Sequence, residues 1–315
     1  MLQDKLGDRV MIKLIILTAT FNKAEYLAVL YKSLSKQEYQ DFLWVIVNDG
    51  STDGTDSTIK GFISEKKLNI EYIKQKNGGK SRATNVGIEK IKQNTVGNFF
   101  VLIVDDDEKL YPNALRIVNE QMKQYMDNSN IGSVLFRRID KKTGKVLGNR
   151  IPNKILLLNH YTFMKNRYYC DGYIGYFYRA LINFKFPEFE NEKYIGPTVL
   201  ILLVSQKYNV LYSDIVLGET EYLPGGITSQ SRTLRLKNPK GMILRCVLLQ
   251  DKRAGIINRL KYSIMGFAYM KLAGLTATEF VAEGIKVGKF IKICKIPAFL
   301  LALFWRRHIY KKNGK

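Results

Sequence analysis

The chain has 315 residues, enough to bury a large core, and its apolar fraction of 46% and charged fraction of 25% are those of a globular protein. Its three cysteines show no CxxC spacing and its two histidines are isolated, which argues against a disulfide framework, a zinc site and a histidine-based triad. The net charge of +22 indicates an anionic partner, which is a nucleic acid, a phospholipid surface or a phosphorylated small molecule.

The N-terminus is polar, and the first apolar run begins only after Met11. We therefore expect no signal peptide, and we treat residues 1–11 as an N-terminal extension, with Met11 as an alternative start. Asn22 and Glu25 then predict a helix cap, followed by apolar residues at helical spacing.

Strands and helices are predicted to alternate through the first 128 residues, which favours a parallel sheet with right-handed crossovers. The predicted strands are 12–17, 42–47, 70–73 and 99–104. Each is followed by a polar motif: Thr20-Phe21-Asn22, Asn48-Asp49-Gly50-Ser51, Asn77-Gly78-Gly79-Lys80 and Asp105 to Glu108. Because ligands bind at the carboxyl ends of parallel strands, we expect all four motifs at one edge of the sheet.

The pattern changes after residue 130. Residues 134–148 predict a hairpin, residues 168–178 an aromatic strand that suits a sugar ligand, and residues 210–222 a strand pair. An apolar helix is predicted over 197–204. We expect ligand specificity to reside in 168–178 and 225–232.

Asp105, Asp106 and Asp107 form an acidic run directly after a buried strand. In an extended segment alternate residues point the same way, so Asp105 and Asp107 would share one cation, with Asp106 as the spacer. Hard oxygen ligands suit Mg²⁺ or Mn²⁺ bridging to a diphosphate. The alternative is a solvated acidic turn.

The other strand ends allow two interpretations each. Asp49 would accept a hydrogen bond from a base or ribose, or would serve as a turn residue. Lys80 and Arg82 lie beside glycine backbone at a helix start, where a phosphate could bind, although the motif is also a common loop. Phe21 would stack on a base or belong to the core.

A second acidic cluster contains Glu188, Glu190 and Glu192, just ahead of the helix predicted over 197–204. One of these glutamates would act as a general base toward an incoming hydroxyl. The alternative is a favourable interaction with the helix dipole.

Taken in order and spacing, the motifs TATFN, NDGSTDGT, NGGKSRATN, VDDDE and FENEKY resemble those of family-2 glycosyltransferases with the GT-A fold. The likeness covers residues 12–240 and is greatest to the bacterial branch that builds capsular and other surface polysaccharides. It implies an α/β, mostly parallel Rossmann-like sheet, with 12–128 as the half that binds the nucleotide sugar and 129–240 as the acceptor half.

The resemblance implies a role for each matching residue. Thr20, Phe21 and Glu25 would line the nucleotide pocket, Asp49 would contact uracil, and Lys80, Arg82 and Asn85 would lie along the nucleotide and diphosphate. Asp105 and Asp107 would be the metal- and ribose-binding pair, with Asp106 between them in the same donor-binding run. The implied reaction inverts the anomeric centre, with Glu192 as the first choice of base and Glu190 as the second.

Three positions depart from the family pattern. Ala19 stands where proline is usual, and Asn48 where a first aspartate is frequent. Glu192 is followed by Lys193, whereas the family commonly has Glu-Asp there, and this departure affects the assignment of the base.

The last 75 residues, 241–315, are rich in cations interleaved with apolar residues. Lys286, Lys289 and Lys292 recur at threefold spacing between apolar positions, which predicts a basic amphipathic helix. The apolar run 296–305 is about half the roughly 20 residues that span a bilayer. We therefore expect a cytoplasmic protein attached peripherally to the inner face of the plasma membrane, or alternatively a helical subdomain packed on the core.

These patterns predict an inverting transferase that uses Mn²⁺ or Mg²⁺ and a nucleoside diphosphate sugar, with UDP as the expected nucleotide and a lipid-linked saccharide as acceptor. A nucleotidyltransferase is the first alternative, because it would use the same aspartates and release pyrophosphate. A nucleic-acid-binding protein is the second, but no nucleic-acid motif is present, so we expect no nucleic-acid partner.

Overall fold

The structure is a computed structural model that describes residues 13–221, 231–276 and 295–313. The predicted extension 1–11, most of the specificity segment 225–232 and the threefold lysines of the basic stretch lie outside these ranges. The described strands are β1 Lys13–Thr20, β2 Phe42–Asn48, β3 Ile70–Lys74, β4 Phe99–Ile103, β5 Glu108–Leu110, β6 Ile131–Asp140, β7 Ile155–Leu158, β8 Gly172–Phe177 and β9 Asn209–Thr220. The described helices are α1 Ala24–Leu34, α2 Thr55–Glu65, α3 Lys80–Asn94, α4 Ala114–Tyr125, α5 His160–Lys165, α6 Tyr178–Leu181, α7 Thr198–Val204, α8 Ser231–Lys237, α9 Pro239–Leu248, α10 Ile256–Ala273 and α11 Lys295–Asn313.

All nine described strands belong to one sheet, in the order β3-β2-β1-β4-β8-β6-β9-β5, with β7 also paired to β9. The first four strands run parallel, as the alternation of strands and helices predicts. Thr20 lies opposite Asn48, and Asn48 lies opposite Lys74, so these three strands end at the same edge. The α/β fold class is confirmed, and the predicted strand-end motifs share one edge.

Helices cover both faces of the parallel half, because its strands are apolar on both sides. Leu14 and Ile16 of β1 pack in a core with residues of α1, α2 and α4. Ile15 and Leu17 point to the opposite face and join a second core that includes residues of α3, α7, α9 and α10. This two-sided burial leaves the strand ends as the place where the polar motifs gather.

The second half of the sheet differs from the sequence-based expectation. The predicted hairpin over 134–148 is reduced to a single bridge between Ile139 and Val146, because β6 pairs instead with β8 and β9. The strand pair predicted over 210–222 is one 12-residue strand, β9. Since β8 runs antiparallel to both β4 and β6, the sheet is mixed and its parallel character is confined largely to the first half.

The described C-terminal helices pack on the rest of the chain, as the second alternative for the basic tail predicts. Buried residues of α9 and α10, such as Ile243 and Tyr269, join the core beneath the sheet, as a packed helical subdomain would. The small residues Ala298 and Ala302 of α11 pack on Ala268 of α10. None of the helices in the described ranges is both long and apolar enough to cross a bilayer.

Candidate active site

The turn after β2 holds the start of α1. Asn22 adopts a left-handed φ of 52°, and its side-chain oxygen accepts a hydrogen bond from the Thr52 amide at 2.8 Å. The amide of Ala24, the first residue of α1, donates instead to Asp53 at 3.4 Å. The predicted Asn22–Glu25 cap is therefore wrong. Asn22 links the end of β1 to the loop after β2, and Asp53 in that loop accepts a hydrogen bond from the first turn of α1.

Asp49 organises the glycine-rich loop that precedes α3. One of its oxygens accepts hydrogen bonds from the Gln75 amide group at 2.7 Å and the Gly78 N–H at 2.8 Å. The other accepts from Asn77 at 3.1 Å and from the Gly79 N–H at 2.8 Å. A carboxylate has about four lone-pair sites, so these four donors use its accepting capacity. The predicted uracil contact would require one of these donors to be released.

The loop meets the candidate base segment at Gly79. Its backbone has a φ of 92°, and a Cβ atom added there would lie 1.8 Å from the carbonyl oxygen of Lys193. The Lys193 ammonium donates to the Asn77 side chain at 2.8 Å. The hydroxyl of Ser81, the second residue of α3, donates to the Ile195 carbonyl at 3.1 Å. Residues 188–195 therefore lie directly against the N-terminus of α3.

The aspartate run forms a turn between β4 and β5 and not the extended segment assumed from the sequence. The Lys80 ammonium lies 2.6 Å from Asp105, and the Lys23 ammonium lies 3.6 Å from Asp107. Two cations from different strand ends thus meet the two aspartates that the D-x-D pattern singles out. Lys80 and Asp105, predicted as donor-binding residues from separate motifs, are in direct contact.

The charges of this turn are strongly coupled. Burial would raise the pKa of Asp105, but the adjacent Lys80 ammonium holds it below its usual value. Burial, followed by the charge of Asp107, raises the pKa of Asp106 to about 7. Burial opposes the charged form of Lys80, yet Asp105 and its two neighbours raise the pKa of this lysine. The turn holds more negative charge than its lysines offset, which suits an additional cation.

The side chains of the aspartate turn supply only part of the coordination shell of a divalent metal. Among the residues that the structure describes, no group of three or more His, Cys, Asp or Glu side chains is arranged to hold a metal ion. Asp105 and Asp107 nevertheless offer hard carboxylate oxygens at one turn, and Mg²⁺ or Mn²⁺ is commonly held by one or two carboxylates with substrate phosphates completing the shell. The residues fit a metal that arrives with a diphosphate.

Arg82 and Asn85 of α3 both contact Glu188. Arg82 donates to one oxygen of Glu188 at 2.8 Å, and the Asn85 amide donates to the other at 3.0 Å. Asn85 is buried and also exchanges hydrogen bonds with the backbone of Phe186 in both directions. In this structure these two residues fix the segment that leads to the candidate base, so their predicted contact with the nucleotide stays a prediction.

The two candidate bases differ in their surroundings. The carboxylate of Glu192 accepts hydrogen bonds from the backbone amides of Lys240 at 2.7 Å and Gly241 at 3.1 Å, which belong to the first turn of α9. Such amides lack partners inside the helix, so Glu192 serves as a cap. Glu190 is exposed, and no hydrogen bond or ion pair to it occurs within the described parts of the chain.

The three residues predicted to line the nucleotide pocket lie between the end of β1 and the first turn of α1. Thr20 is buried at the end of β1, and its hydroxyl helps to offset the raised pKa of Asp106, so these two strand ends are adjacent. Phe21 is 45% exposed, which leaves its ring available to a base. Glu25 is exposed in the first turn of α1.

Three further residues shape the site without having been singled out from the sequence, namely Lys23, Gln75 and Arg138, and a fourth, Glu108, belongs to a predicted motif but had no assigned role. Lys23 follows the TATFN motif directly, and Glu108 ends the acidic run, so position alone gave a signal for both. Arg138 and its neighbour Arg137 follow the apolar run Val134–Phe136 within β6, where a buried charge requires a partner. Gln75 carries no such signal.

The mixed sheet, with acidic and basic groups at the ends of its parallel strands, is the arrangement of a glycosyltransferase donor domain. Residues 15–184 match the family described as Glycosyl transferase family 2, and the chain belongs to that family.

Several characterised relatives resemble parts of the chain. It is 30% identical over 121 residues to the glycosyltransferase GlyA of Streptococcus pneumoniae, covering 38% of this chain and 16% of GlyA. It is 24% identical over 233 residues to a teichoic acid poly(glycerol phosphate) polymerase of Staphylococcus epidermidis, covering 65% of this chain and 32% of the polymerase. The chain thus spans about a third or less of the length of these relatives.

Solved structures show the same fold at low sequence identity. Residues 1–349 of Staphylococcus aureus TarS with UDP-GlcNAc superpose with a TM-score of 0.58 at 15% identity, covering 94% of this chain and 92% of that one. A Pyrobaculum calidifontis mannosyltransferase with GDP-Man and Mn²⁺ gives a TM-score of 0.54 at 15% identity, covering 94% and 89%. The likeness confirms the GT-A type of fold.

Proposed function

We propose that this glycosyltransferase moves a sugar from a nucleoside diphosphate donor, UDP-linked, to a saccharide hydroxyl with inversion at the anomeric carbon. The observation that carries this proposal is the contact between Lys80 and Asp105 beside the glycine-rich loop held by Asp49. These groups come from three strand ends, and together they offer an anchored loop, a cation and carboxylates to one diphosphate.

Each side of the donor has a candidate partner at this edge. The exposed ring of Phe21 would stack on the base, with Thr20 and Glu25 beside the same pocket. Asp49 would reach uracil by giving up one loop contact. Lys80 would turn from Asp105 to the diphosphate, with Arg82 and Asn85 along the same helix start.

Asp105 and Asp107 would hold Mn²⁺ or Mg²⁺ together with the donor diphosphate, with Asp106 between them. The ion would supply Lewis-acid stabilisation of the departing diphosphate, worth several kcal/mol. Lys23 and Lys80 would take up negative charge at the same turn. This chain's lysines and the cation therefore act on the same developing charge.

Transfer requires a base on the face of the sugar opposite the diphosphate. The acceptor hydroxyl attacks the anomeric carbon, the bond to the diphosphate breaks, and the hydroxyl proton passes to a carboxylate. Glu190 and Glu192 are the candidates, on the segment that lies against α3. Because two amides of α9 already engage Glu192, we propose the exposed carboxylate of Glu190 first as the base and Glu192 second.

Glu190→Gln is expected to lower kcat by about 10²-fold or more with little change in the donor KM, because only proton transfer is lost. Glu192→Gln keeps one oxygen for the α9 amides and is expected to lower the free energy of unfolding by about 1 kcal/mol. Its loss of kcat is expected to be smaller than that of Glu190→Gln. Steady-state kinetics and thermal unfolding of the two variants check this.

Glu188→Gln is the matched control, because Glu188 lies on the same segment and is engaged by Arg82 and Asn85. If Glu192→Gln shows the large loss of kcat while Glu190→Gln behaves like the control, Glu192 is the base.

The relatives support a surface polysaccharide as the acceptor class. One matched relative is a teichoic acid polymerase, and another, TarS, is a poly(ribitol-phosphate) β-N-acetylglucosaminyltransferase. The TarS structure contains UDP-GlcNAc, and the archaeal structure contains GDP-Man and Mn²⁺. We propose that the acceptor is a lipid-linked intermediate of a bacterial capsule or related polymer.

We further propose that residues 12–128 form the donor half and residues 129–240 the acceptor half of one domain. The predicted aromatic segment 168–178 contains β8, a strand of the acceptor half that pairs with β4 of the donor half. Tyr169 is 60% exposed next to this strand and offers a ring to a sugar. Residues 241–315 would then form an attachment region that packs on this domain through α9 and α10.

The donor is tested by incubating the protein with a panel of UDP-, GDP-, CDP- and dTDP-sugars, with and without Mn²⁺, and identifying the nucleotide released. Release of UDP in the presence of Mn²⁺ supports the proposal. Release of pyrophosphate would indicate a nucleotidyltransferase and would contradict it.

Attachment to the inner face of the plasma membrane is proposed from the outward face of α11. Five of its apolar residues are between 43% and 78% exposed: Ile296, Phe299, Leu300, Leu303 and Phe304. They recur at helical spacing on one face, while Ala298 and Ala302 face α10. With a chain charge of +22, this face suits an anionic bilayer, to which each nearby cation contributes about 1 kcal/mol.

Leu300→Ser/Phe304→Ser is expected to reduce sedimentation with phosphatidylglycerol vesicles by about tenfold or more, because two large apolar groups are lost from the contact. Val29→Ser/Ile63→Ser removes exposed apolar groups from α1 and α2 and serves as the control. Equal vesicle binding of the wild type, the α11 variant and the control would contradict the assignment. It would also be contradicted if the wild type self-associated and the α11 variant did not, because the exposed face would then be a contact between copies of the chain.

A further inference from the structure

Glu108 is the last residue of the aspartate turn, 105–108, and makes two hydrogen bonds with its first residue, Asp105. The Glu108 amide donates to the Asp105 carbonyl at 3.2 Å, and the Glu108 carboxylate accepts from the Asp105 amide at 2.9 Å. The side chain of Glu108 is buried. This two-way bond fixes the first and last residues of the turn that carries Asp106 and Asp107.

Arg138 joins this turn to the other half of the sheet. One of its guanidinium nitrogens contacts the second oxygen of Glu108, and another donates to Asp171 at 2.6 Å. Asp171 directly precedes β8, at the edge of the proposed acceptor half. A chain of charges therefore runs from the donor turn, through Arg138, to the segment that contains Tyr169.

The backbone of β6 is adapted to this contact. The register of β6 against β9 shifts between Arg137 and Arg138, and such bulges re-aim a side chain, often beside an active site. Ion pairs this buried are a poor source of stability, because their desolvation offsets their attraction. A role in geometry accounts better for keeping three charges here.

We propose that Glu108 and Arg138 are positioning residues of the donor site, which hold the aspartate turn in the shape that presents Asp105 and Asp107 to a metal–diphosphate. The inference rests on the proposed donor site. Arg138 holds the turn in place by pairing with Glu108 on one side and with Asp171 on the other, so the same side chain contacts both proposed halves of the domain.

Arg137 provides a matched control on the same strand. Its side chain is also buried, and it donates to Asp214 at 2.8 Å and to the Asn149 carbonyl at 3.1 Å. None of these partners belongs to the aspartate turn. Removing either arginine breaks a buried ion pair, but only the loss of Arg138 releases Glu108.

Arg138→Met and Arg137→Met are compared by thermal unfolding and by calorimetric titration with UDP in the presence of Mn²⁺. Both are expected to lower the unfolding midpoint, and Arg138→Met alone is expected to weaken UDP binding by about 10- to 100-fold, as loss of an outer-shell partner does. Equal UDP affinities of the two variants would overturn the proposal. Failure of the wild-type protein to bind UDP would instead contradict the proposed function.

Arg138→Met leaves Glu108 buried without its partner and is at risk of misfolding. Glu108→Gln/Arg138→Met removes both charges, and its amide oxygen can still accept from Asp105. This double variant is expected to fold and to bind UDP with an affinity between those of the wild type and Arg138→Met. It is expected to raise the donor KM more than it lowers kcat. Wild-type UDP affinity in this double variant would show that the ion pair supports folding alone.

Discussion

Asp107→Ala is expected to lower the rate of sugar transfer by about 10²- to 10³-fold, the loss that follows removal of one electrostatic partner of a developing charge. Asp107 would bind the cation that carries the donor diphosphate, and the Lys23 ammonium lies 3.6 Å from it. Without the carboxylate, Lys23 would remain as a cation, but the turn would keep only one of the two carboxylates that would hold a divalent ion. Initial rates measured across a range of Mn²⁺ concentrations check this.

Asp106→Asn is the control for that experiment, because it changes the middle carboxylate of the same turn. Burial, followed by the charge of Asp107, raises the pKa of Asp106 to about 7, and the D-x-D pattern makes this residue the spacer and not a metal ligand. A much smaller loss of rate than in Asp107→Ala is expected. Full activity in Asp107→Ala, or activity that persists after chelation of divalent ions, would contradict the metal assignment.

Gly79→Ala is expected to weaken donor binding and to lower kcat, each by about tenfold or more, because a displacement near 1 Å can cost about 10²-fold in rate. An added Cβ would lie 1.8 Å from the Lys193 carbonyl oxygen, so α3 and the segment carrying Glu190 could not keep their contact. The same shift would disturb the Gly79 amide that donates to Asp49. Calorimetry with UDP and steady-state kinetics separate the two losses.

Gly97→Ala isolates backbone strain from the clash. Gly97 has a φ of 89°, close to the 92° of Gly79, but no atom lies within 4 Å of an added Cβ. Both variants place a Cβ on a backbone of positive φ, which costs about 1–3 kcal/mol, whereas only Gly79→Ala displaces a neighbour. Equal effects on UDP binding would mean that the contact with Lys193 does not organise the site.

The parallel half of the fold could be predicted because local pattern and topology agree there. Strands that are buried on both faces give continuous apolar runs, such as β2, in which every residue is buried, and their ends must share an edge. The polar motifs after Thr20, Asn48 and Lys74 therefore had only one place to gather. The antiparallel half has no such rule, and the insertion of β8 between β4 and β6 depends on long-range pairing.

Residue identity predicted which side chains reach the site better than it predicted what they do there. Asp49 stands at a strand end as expected, but its oxygens are directed to the loop amides. Glu192 lies at a helix N-terminus, as the dipole alternative for the glutamate cluster predicts, but that helix is α9, 48 residues further along the chain, and not the helix predicted over 197–204. Hydrogen-bond partners this distant in sequence leave no local pattern.

The most direct test of the account is whether UDP binding depends on a divalent ion at the aspartate turn. Titration of the wild-type protein with UDP should show saturable binding in Mn²⁺ that is lost in EDTA, and Mn²⁺ alone should bind far more weakly, because Lys23 and Lys80 already lie against the two aspartates. UDP binding of equal affinity in Mn²⁺ and in EDTA would contradict the account.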